Sequence, residues 1–461
     1  MIAIVFFSCF LNYLPHFEYP YLFHVDEWFH IAQAKLIVQD SSIDWYTGNP
    51  FMYGMERAWH LTLAGIYSIF HLDIAHWSIL PSIFHGIAII SVYFFVARLY
   101  DTSHALIASF LIGLMASNVT MGGPVFLIPV NIGFIVIPLG LLFGFNLLSV
   151  KNYLNYAALF IIVCYTLYAH PPTAIVLLTI LTIYSILLFL SNENDSKKRG
   201  ALLLGTLFLS VVISIPNYLQ QIQDLGWGSI DHNFWIYLKS IPFIFGIIPT
   251  VFFIIGFYFK SKVYDKKSWA LLITCLILLV NIFLFSVLNI NYILPYQRTF
   301  LPLFLLMSII ASVGYLKLFD YKKYFNKYVV LIFVIMLLLT GFFAVKNNVE
   351  TEYYRLIDEQ DYESFVWIKE NTASDIVVLS DPWNARALAP VAERTVYAVM
   401  PFGPVEEQMN LVFKATAFLN TNCTNTSFLI NNHIDIVYTT QPCQNANLTE
   451  VYLNTYLFKQ E

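Results

Sequence analysis

The sequence predicts a polytopic α-helical membrane protein with a small C-terminal α/β domain. The first observation is composition: 58% of the 461 residues are hydrophobic and only 11% are charged, with a mean hydropathy of +0.67. Soluble domains carry roughly 25% charged residues. The second is a series of apolar segments through residues 1–346, most of them near the ~20 residues that cross a bilayer. The third is the polar tail, 347–461, where helical and strand patterns alternate.

Apolar segments supply about eleven candidate membrane-spanning helices. In chain order they are 1–15, 78–97, 104–118, 128–149, 153–169, 173–190, 200–217, 239–259, 269–288, 299–316 and 328–345. We therefore expect a transmembrane domain over 1–346, with a long first outer loop at 16–77, and an extracytoplasmic α/β domain over 347–461. Within the loop, residues 58–72 are expected to form a helix that lies in the outer interface without crossing it.

Basic residues predict the orientation, because cytoplasmic loops of membrane proteins are enriched in Lys and Arg. With a cytoplasmic N-terminus, the inner loops carry Arg98, Lys151, Lys197–Arg199, Lys260–Lys267 and Lys317–Lys327. The outer loops before the tail carry only Lys35, Arg57, Lys239 and Arg298. The sequence thus predicts a multi-pass protein of the cell membrane, with its N-terminus inside and its C-terminal domain outside.

The tail reads as a small α/β domain. Helices are predicted at DYESFVWIKENT, ending near Asn371, and near VEEQMNLVFKATAFL. Strands are predicted at DIVVLSDP, ERTVYAVM, HIDIVYTT and VYLNTYLFKQ. Helices alternating with strands favour a mostly parallel sheet. If the tail is extracytoplasmic, Cys423 and Cys443 can form a disulfide; two free buried thiols are the alternative.

The first candidate site is the segment HVDEWFHIAQAK, residues 24–35, in the first outer loop. On a helix with about 100° per residue, Asp26, Glu27, His30 and Gln33 share one polar arc. One interpretation is a catalytic carboxylate, Asp26, at the membrane–water boundary, with Glu27 and His30 beside it. The other is an amphipathic interfacial helix with one wet face and Asp26 as its N-cap.

A second candidate set follows in the same loop. Glu56, Arg57 and His60 open the segment ERAWHLTLAGIY, and Glu56 and His60 are one helical turn apart. An acidic residue at a helix N-terminus is favourable through the helix dipole alone. The functional alternative gives Glu56 a catalytic role, Arg57 a role in binding phosphate and His60 a supporting role.

A third candidate set lies at the outer ends of later spans. Arg298, next to Gln297 in NYILPYQRTFLPLF, is a lone basic residue where the orientation rule disfavours one. Snorkelling explains an isolated Arg, but a planar guanidinium also suits a lipid phosphate. His170 in AHPPT can donate to a phosphate or simply belong to a rigid turn.

The sequence disfavours a nucleic-acid partner and a zinc site. No polar region carries a basic stripe interleaved with aromatic residues, so we expect no nucleic-acid partner. The His residues have no His-Glu-x-x-His or Cys-His zinc spacing. A hard divalent ion such as Mg2+ or Mn2+ remains an option at Asp26, with Glu27 or Glu56, because such ions prefer carboxylates.

The order of these features resembles the polyprenyl-phosphate-dependent GT-C glycosyltransferases. This superfamily includes protein O-mannosyltransferases, the lipid A aminoarabinose transferase and the catalytic subunit of oligosaccharyltransferase. The resemblance is carried by HVDEWFHIAQAKLI, RAWHLTLAGIYSIF and LPSIFHGIAIISVYFFVARLY, which cover the first loop and the span after it. AHPPTAIVLL, YQRTFLPLFLLMSIIASVGY and FVWIKENTASDIVVLSDP resemble archaeal members in particular.

The resemblance implies roles for individual residues. Asp26 matches the family's catalytic acid in the first loop and Glu27 its neighbour, while Glu56 and Arg57 resemble the second acidic position. Arg298 resembles the Arg that contacts the donor phosphate. Two departures concern oligosaccharyltransferases. The next outer loop, SNVTMGGPVF, has no carboxylate, and DPWNAR stands in the tail where they carry Trp-Trp-Asp.

The resemblance therefore implies a membrane glycosyltransferase that acts at the outer face. Its donor is expected to be a polyprenyl- or dolichyl-phosphate-linked sugar, and its acceptor a protein, a glycan or a lipid. The departures favour transfer of a single sugar, or of another lipid-linked glycan, over oligosaccharyltransferase-like transfer. A transporter or flippase of lipid-linked sugars and an inactive scaffold are alternatives of another class. Transporters place their polar residues near the membrane midplane, whereas here they cluster at one surface.

Overall fold

The computed structural model describes residues 1–39, 45–46, 56–119, 121–147, 153–224, 238–288, 294, 296–320, 326–401 and 406–459. Residues 40–44 and 47–55 of the predicted first outer loop lie outside this description. The chain forms two compact units. The first unit comprises Met1–Glu18, Gly54–Trp59 and Ile79–Glu352, and the second comprises Tyr19–Tyr53, His60–Ser78 and Tyr353–Glu461.

The described residues form helices α1–α19 and strands β1–β5, numbered along the chain. The helices are Ile2–Tyr13, Val25–Gln39, Arg57–Phe70, Ile74–Trp77, Leu80–Leu99, Thr102–Gly113, Gly133–Leu141, Tyr153–Ala169, Pro171–Phe189, Asn194–Asp224, Ile241–Ile244, Ile247–Ser261, Lys266–Leu288, Tyr296–Asp320, Asn326–Glu350, Glu359–Asn371, Ala385–Ala392, Glu406–Asn420 and Thr426–Asn431. The strands are Val377–Leu379, Thr395–Val396, Ile436–Tyr438, Leu448–Tyr452 and Thr455–Phe458.

Each predicted span overlaps helical structure among the described residues. Among the described residues, five segments are long and apolar enough to cross a membrane: Ile74–Leu99, Pro171–Phe189, Asn194–Pro216, Lys266–Leu288 and Gln297–Lys317. Five shorter apolar segments are Ile2–Phe17, Thr102–Gly113, Pro129–Phe145, Tyr153–Ala169 and Ile247–Ser261. The protein is thus a multi-pass membrane protein, and the total of about eleven spans stays a prediction. Helix α3 has 14 residues, which is short for a spanning helix.

Helix α14 is the central helix of the first unit. Its apolar stretch is 94% buried, whereas the other four long segments are 28–61% buried. It packs closely on α12, because Gly256 and Gly314 let the two backbones approach. A Cβ atom at Gly314 would overlap the carbonyl oxygen of Phe252. Beside this contact, the rings of Phe252 and Tyr315 stack with centroids 3.8 Å apart.

The second unit contains a five-stranded sheet in the order β2-β1-β3-β5-β4. Strands β2, β1 and β3 are parallel, whereas β3, β5 and β4 are antiparallel. The sequence predicted a mostly parallel sheet, but the sheet in the structure is mixed. The segment VYLNTYLFKQ is not one strand but contains the turn of a hairpin, in which Asn454 adopts a left-handed φ of 54°. Asn tolerates this conformation better than most residues, which explains the turn.

Other features of the tail were partly visible in its sequence. Helix α16 ends at Asn371 as predicted, whereas helix α17, between β1 and β2, was not predicted. Its sequence ARALAPVA is short and contains Pro390, which weakens the helical pattern. The sulfur atoms of Cys423 and Cys443 are 2.03 Å apart and form the expected disulfide.

Most of the described part of the first outer loop belongs to the same compact unit as the tail. The Tyr19 hydroxyl donates to the carbonyl of Ile357 at 2.8 Å, and the backbone N–H of Val396 donates to the carbonyl of Trp45 at 2.8 Å. The domain boundary predicted between residues 346 and 347 stays a prediction. The hydrogen bonds and the buried aromatic residues of the loop explain why it belongs to the compact unit of the tail.

Candidate active site

The carboxylate of Glu27 holds the turn that precedes helix α2. This helix carries the first candidate site. The backbone N–H groups of Phe23 and His24 donate to Oε2 of Glu27 at 2.9 and 2.7 Å. Glu27 is fully buried. These charge-assisted hydrogen bonds hold the turn before the helix and satisfy two backbone donors. Glu27 thus positions the segment that presents Asp26.

Asp26 lies in the first turn of α2 and has a partly exposed side chain, at 19%. Its Oδ2 atom is 3.5 Å from Nδ1 of His24. The backbone N–H of Asp26 donates to the same Nδ1 at 3.1 Å. The Asp26 carboxylate is therefore the partly accessible acid of this segment, while Glu27 is buried beside it.

The amphipathic interpretation of α2 is wrong. The expected polar side, Glu27, His30 and Gln33, is buried, and so are Trp28 and Ile31 on the opposite side. Asp26 is not the N-cap, because the helix begins at Val25 and Glu27 accepts from the preceding backbone. A helix enclosed on both faces is not a wet-faced interfacial helix.

His30 and His60 form a pair inside the second unit. Nδ1 of His30 is 3.0 Å from Nε2 of His60, and both residues are buried. Burial lowers the pKa of His60 to about 3, so its imidazole is neutral at physiological pH. The structure thus brings together the two supporting histidines, which are 30 residues apart in sequence.

Arg386 is a candidate residue that the sequence analysis missed. It lies in α17 with its side chain buried, and it donates to the carbonyl of Met400. Burial lowers the pKa of this guanidinium, and the negative charge of Asp26 opposes that shift. Nothing in the local pattern NARALAP points to a site, since the interaction depends on how the tail packs on the loop.

The predicted phosphate-binding residues Arg298 and His170 both belong to the first unit. Arg298 lies in the first turn of α14, where Nδ2 of Asn281 donates to the neighbouring Thr299 hydroxyl at 2.9 Å. His170 caps α9, with Nδ1 2.7 Å from Oγ1 of Thr173. Burial and, to a lesser extent, the Arg298 charge lower the pKa of His170 well below its usual value. A neutral His170 therefore has a structural role as a helix cap and lies within electrostatic reach of Arg298.

The remaining candidates stay predictions. Gln297 is half-buried in the first turn of α14. Glu56 directly precedes α3 and has a left-handed φ of 61°, and Arg57 is the exposed first residue of that helix. Both belong to the first unit, whereas His60 belongs to the second.

The sequence matches no protein-family model and no curated protein. Solved structures do match. The apo oligosaccharyltransferase of Archaeoglobus fulgidus has a TM-score of 0.64 at 13% identity, over 95% of this chain and 69% of that chain. ArnT from Cupriavidus metallidurans, bound to undecaprenyl phosphate, has a TM-score of 0.59 at 13% identity, over 99% of this chain and 96% of that chain. The chain has the GT-C fold.

Other structures with the GT-C fold were solved with ligands. The Archaeoglobus oligosaccharyltransferase AglB, with an inhibitory peptide and a dolichol-phosphate, has a TM-score of 0.61 at 13% identity, over 95% of this chain and 69% of that chain. At these identities the similarity shows the fold of this chain. Its activity has to be argued from its own residues.

A hard divalent ion does not fit the described residues around Asp26. Such ions take several oxygen ligands, but no group of three potential ligands among the described residues includes Asp26. Oε2 of Glu27 already accepts two backbone hydrogen bonds. The nitrogen atoms of His30 and His60 are ligands of the type that zinc accepts.

Proposed function

We propose that the protein is a membrane glycosyltransferase that moves a sugar from a polyprenyl-phosphate donor to an acceptor at the outer face. The observation that carries this proposal is the position of Asp26. This chain has the GT-C fold, and Asp26 is a partly exposed carboxylate at the start of a loop helix whose other residues are mostly buried. A carboxylate held in this way suits a general base.

The proposed reaction is a single displacement with inversion. Asp26 accepts the proton of an acceptor hydroxyl as the oxygen attacks the anomeric carbon. The bond from that carbon to the phosphate oxygen breaks, and its electron pair leaves with the polyprenyl phosphate. The buried Arg386 is the cation of the same unit that we assign to orient the Asp26 carboxylate. The products are the glycosylated acceptor and the polyprenyl phosphate, and the proton resides on Asp26.

Cationic side chains of the first unit suit the donor phosphate. Arg298 offers a planar group that can donate two hydrogen bonds to phosphate oxygens. Arg57 is exposed and can contribute a second positive charge. Negative charge on the bridging oxygen grows as the glycosidic bond breaks, so cations that bind the phosphate lower the barrier. His170, which caps α9, supports the region around Arg298.

Transfer of a single sugar is favoured over transfer of an oligosaccharide. The outer segment between α6 and α7 contains no carboxylate in its sequence, SNVTMGGPVF. The tail carries Asp381, Trp383 and Asn384 where the resemblance would require Trp-Trp-Asp. Both differences remove features that the resemblance associates with oligosaccharyl transfer.

Donor turnover by the purified protein tests the proposal. The protein is incubated with radiolabelled polyprenyl-phosphate sugars, with and without EDTA. Asp26→Asn removes the base while keeping the side-chain shape, and we expect a loss of at least about 100-fold in turnover. Asp73→Asn is the matched control, since Asp73 is an exposed acid that caps α4 in the same loop. Equal turnover by wild type and Asp26→Asn would overturn the assignment, and saturable lipid binding without turnover would favour a transporter or scaffold.

A further inference from the structure

The second unit contains a cavity that the proposed transfer reaction does not use. It has a volume of about 220 Å3 and lies beyond the carboxyl ends of β1 and β3. The segment after β1 contributes Asp381 and Asn384, and the segment after β3 contributes Thr439, Thr440 and Gln441. Helix α18 closes one side with Thr416, Leu419 and Asn420.

This cavity lies at the point where the strand order of the sheet reverses. From β1 the chain passes through α17 to β2 on one side, and then through α18 and α19 to β3 on the other side of β1. The segments that follow β1 and β3 therefore diverge and leave a crevice at their carboxyl ends. In open α/β sheets, ligands bind in such crevices.

The lining excludes two ligand classes. Of the nine lining residues, Leu419 alone has an aliphatic side chain, so the cavity does not suit a lipid or an apolar peptide side chain. None of the nine is basic, and Asp381 is acidic. A phosphate or carboxylate ligand would therefore meet a like charge without a compensating cation.

The lining instead suits a neutral ligand with many hydroxyl groups. Asn384, Asn420 and Gln441 offer amides that both donate and accept, and the three threonines offer hydroxyls. Asp381 holds its own loop, since Oδ1 accepts from the backbone N–H of Trp383 at 2.9 Å. The volume is below the roughly 300 Å3 at which pockets for drug-sized ligands begin. A single sugar ring matches both the size and the polarity.

We propose that this cavity binds one neutral sugar residue. The binding is separate from the transfer reaction and requires neither a donor lipid nor Asp26. A bound sugar would hold a glycan chain on the extracytoplasmic domain, and the exposed side chains of Thr440 and Gln441 would contact its hydroxyls.

Saturation-transfer NMR on the full-length protein in detergent tests the inference. The probes are the methyl glycosides of glucose, galactose, mannose, N-acetylglucosamine and N-acetylgalactosamine, with glucuronate and glucose 6-phosphate as charged comparators. We expect saturable binding of at least one neutral sugar and none of the charged ones. The double variant Gln441→Leu with Thr440→Val should weaken that binding about 10-fold, which is roughly one or two lost hydrogen bonds.

A matched double variant controls for unspecific effects. Gln444→Leu with Thr449→Val changes the same residue types at exposed positions that do not line the cavity, and it should leave binding unchanged. Absence of saturable binding by every neutral sugar would overturn the proposal. So would equal weakening by both double variants, or binding of an Asn-Val-Thr peptide or a charged sugar in place of the neutral ones. Failure of the transfer assay alone would leave the sugar-binding result unaffected.

Discussion

The Nζ atom of Lys35 lies 3.0 Å from Oε1 of Glu393, although 358 residues separate them in sequence. Lys35 is on α2, and Glu393 directly follows α17. Both side chains are largely buried, at 6% and 14% exposure. Lys35 also donates to the carbonyl of Pro390 at 2.9 Å, and Lys369 lies 2.7 Å from Glu393. This ion pair therefore ties the helix that carries Asp26 to the tail.

Removing Glu393 should destabilise the protein more than removing Lys35. Glu393→Gln leaves the buried Lys35 cation without its counter-charge, whereas Lys35→Met leaves Glu393 still paired with Lys369. Breaking a buried pair from one side costs about 3–5 kcal/mol. We therefore expect a larger fall in Tm for Glu393→Gln than for Lys35→Met, measured by thermal unfolding in detergent. The exposed pair Lys346–Glu350 provides the control, because Lys346→Met should change little.

Stability should fall in acid because of Glu393. Burial alone raises the pKa of Glu393, but the charges of Lys35 and Lys369 outweigh it and lower the pKa below its usual value. The unfolded chain then binds the proton more readily than the folded one, so this contribution is complete above about pH 4.3 and is lost as the pH falls below it. The Tm difference between wild type and Glu393→Gln should shrink over that range. A constant difference would contradict the ion-pair explanation.

Substitutions at Glu27 separate a positioning role from a catalytic one. Glu27→Gln keeps an oxygen that can accept from Phe23 and His24, whereas Glu27→Ala leaves two buried backbone donors unsatisfied, at about 1–3 kcal/mol each. We expect Glu27→Gln to retain most of the stability and turnover, and Glu27→Ala to lose both. Turnover that disappears in a stable Glu27→Gln would instead assign the charge a direct chemical role.

Close packing of α12 and α14 predicts a strong effect at Gly314. An added methyl group would overlap the carbonyl of Phe252, so Gly314→Ala should separate the two helices and lower Tm. Gly341→Ala in α15 is the control, because its Cβ atom meets nothing within 4 Å. There the change should be neutral or stabilising, since Ala favours a helix over Gly by about 1 kcal/mol. Similar Tm values for both variants would contradict the packing shown here.

Substitutions at Arg298 should weaken binding of the donor more than binding of the acceptor. Arg298→Lys keeps the charge but loses the planar pair of donors, and Arg298→Gln loses both. We expect KM for the donor to rise about 10-fold in Arg298→Lys, roughly the loss of one charge-assisted hydrogen bond, and further in Arg298→Gln, with the KM for the acceptor unchanged. Lys239→Gln, at another basic residue expected outside, serves as the control. An unchanged donor KM in Arg298→Gln would remove this residue from the phosphate site.

The elements of this chain were predictable where local patterns determine them. Apolar segments located the membrane helices because a bilayer demands length and hydrophobicity from each segment alone. The hairpin of β4 and β5 was missed, since its turn depends on the left-handed conformation of Asn454, which lies between two short apolar stretches.

The candidate site was predictable only in part. The role of Asp26 was predicted from its local sequence and stays a prediction, whereas Arg386 lies far along the chain. Arg386 and Glu393 have no local signal that connects them with the first loop. The sequence predicted only that Lys35 is a basic residue on the outer side. Its buried ion pair with Glu393 depends on packing that no local pattern encodes.

The second unit joins residues 19–53 and 60–78 to residues 353–461, and this has a consequence for biosynthesis. Helix α2 is made early, yet Pro390 and Glu393, which bind Lys35, are translated more than 350 positions later. During synthesis, the nascent chain therefore exposes apolar residues such as Trp28 and Ile31, which are fully buried in the finished fold. A ribosome that stalls before residue 353 leaves a chain in which the first loop lacks the rest of its compact unit. The fold of this unit can be completed only after the tail has been synthesised.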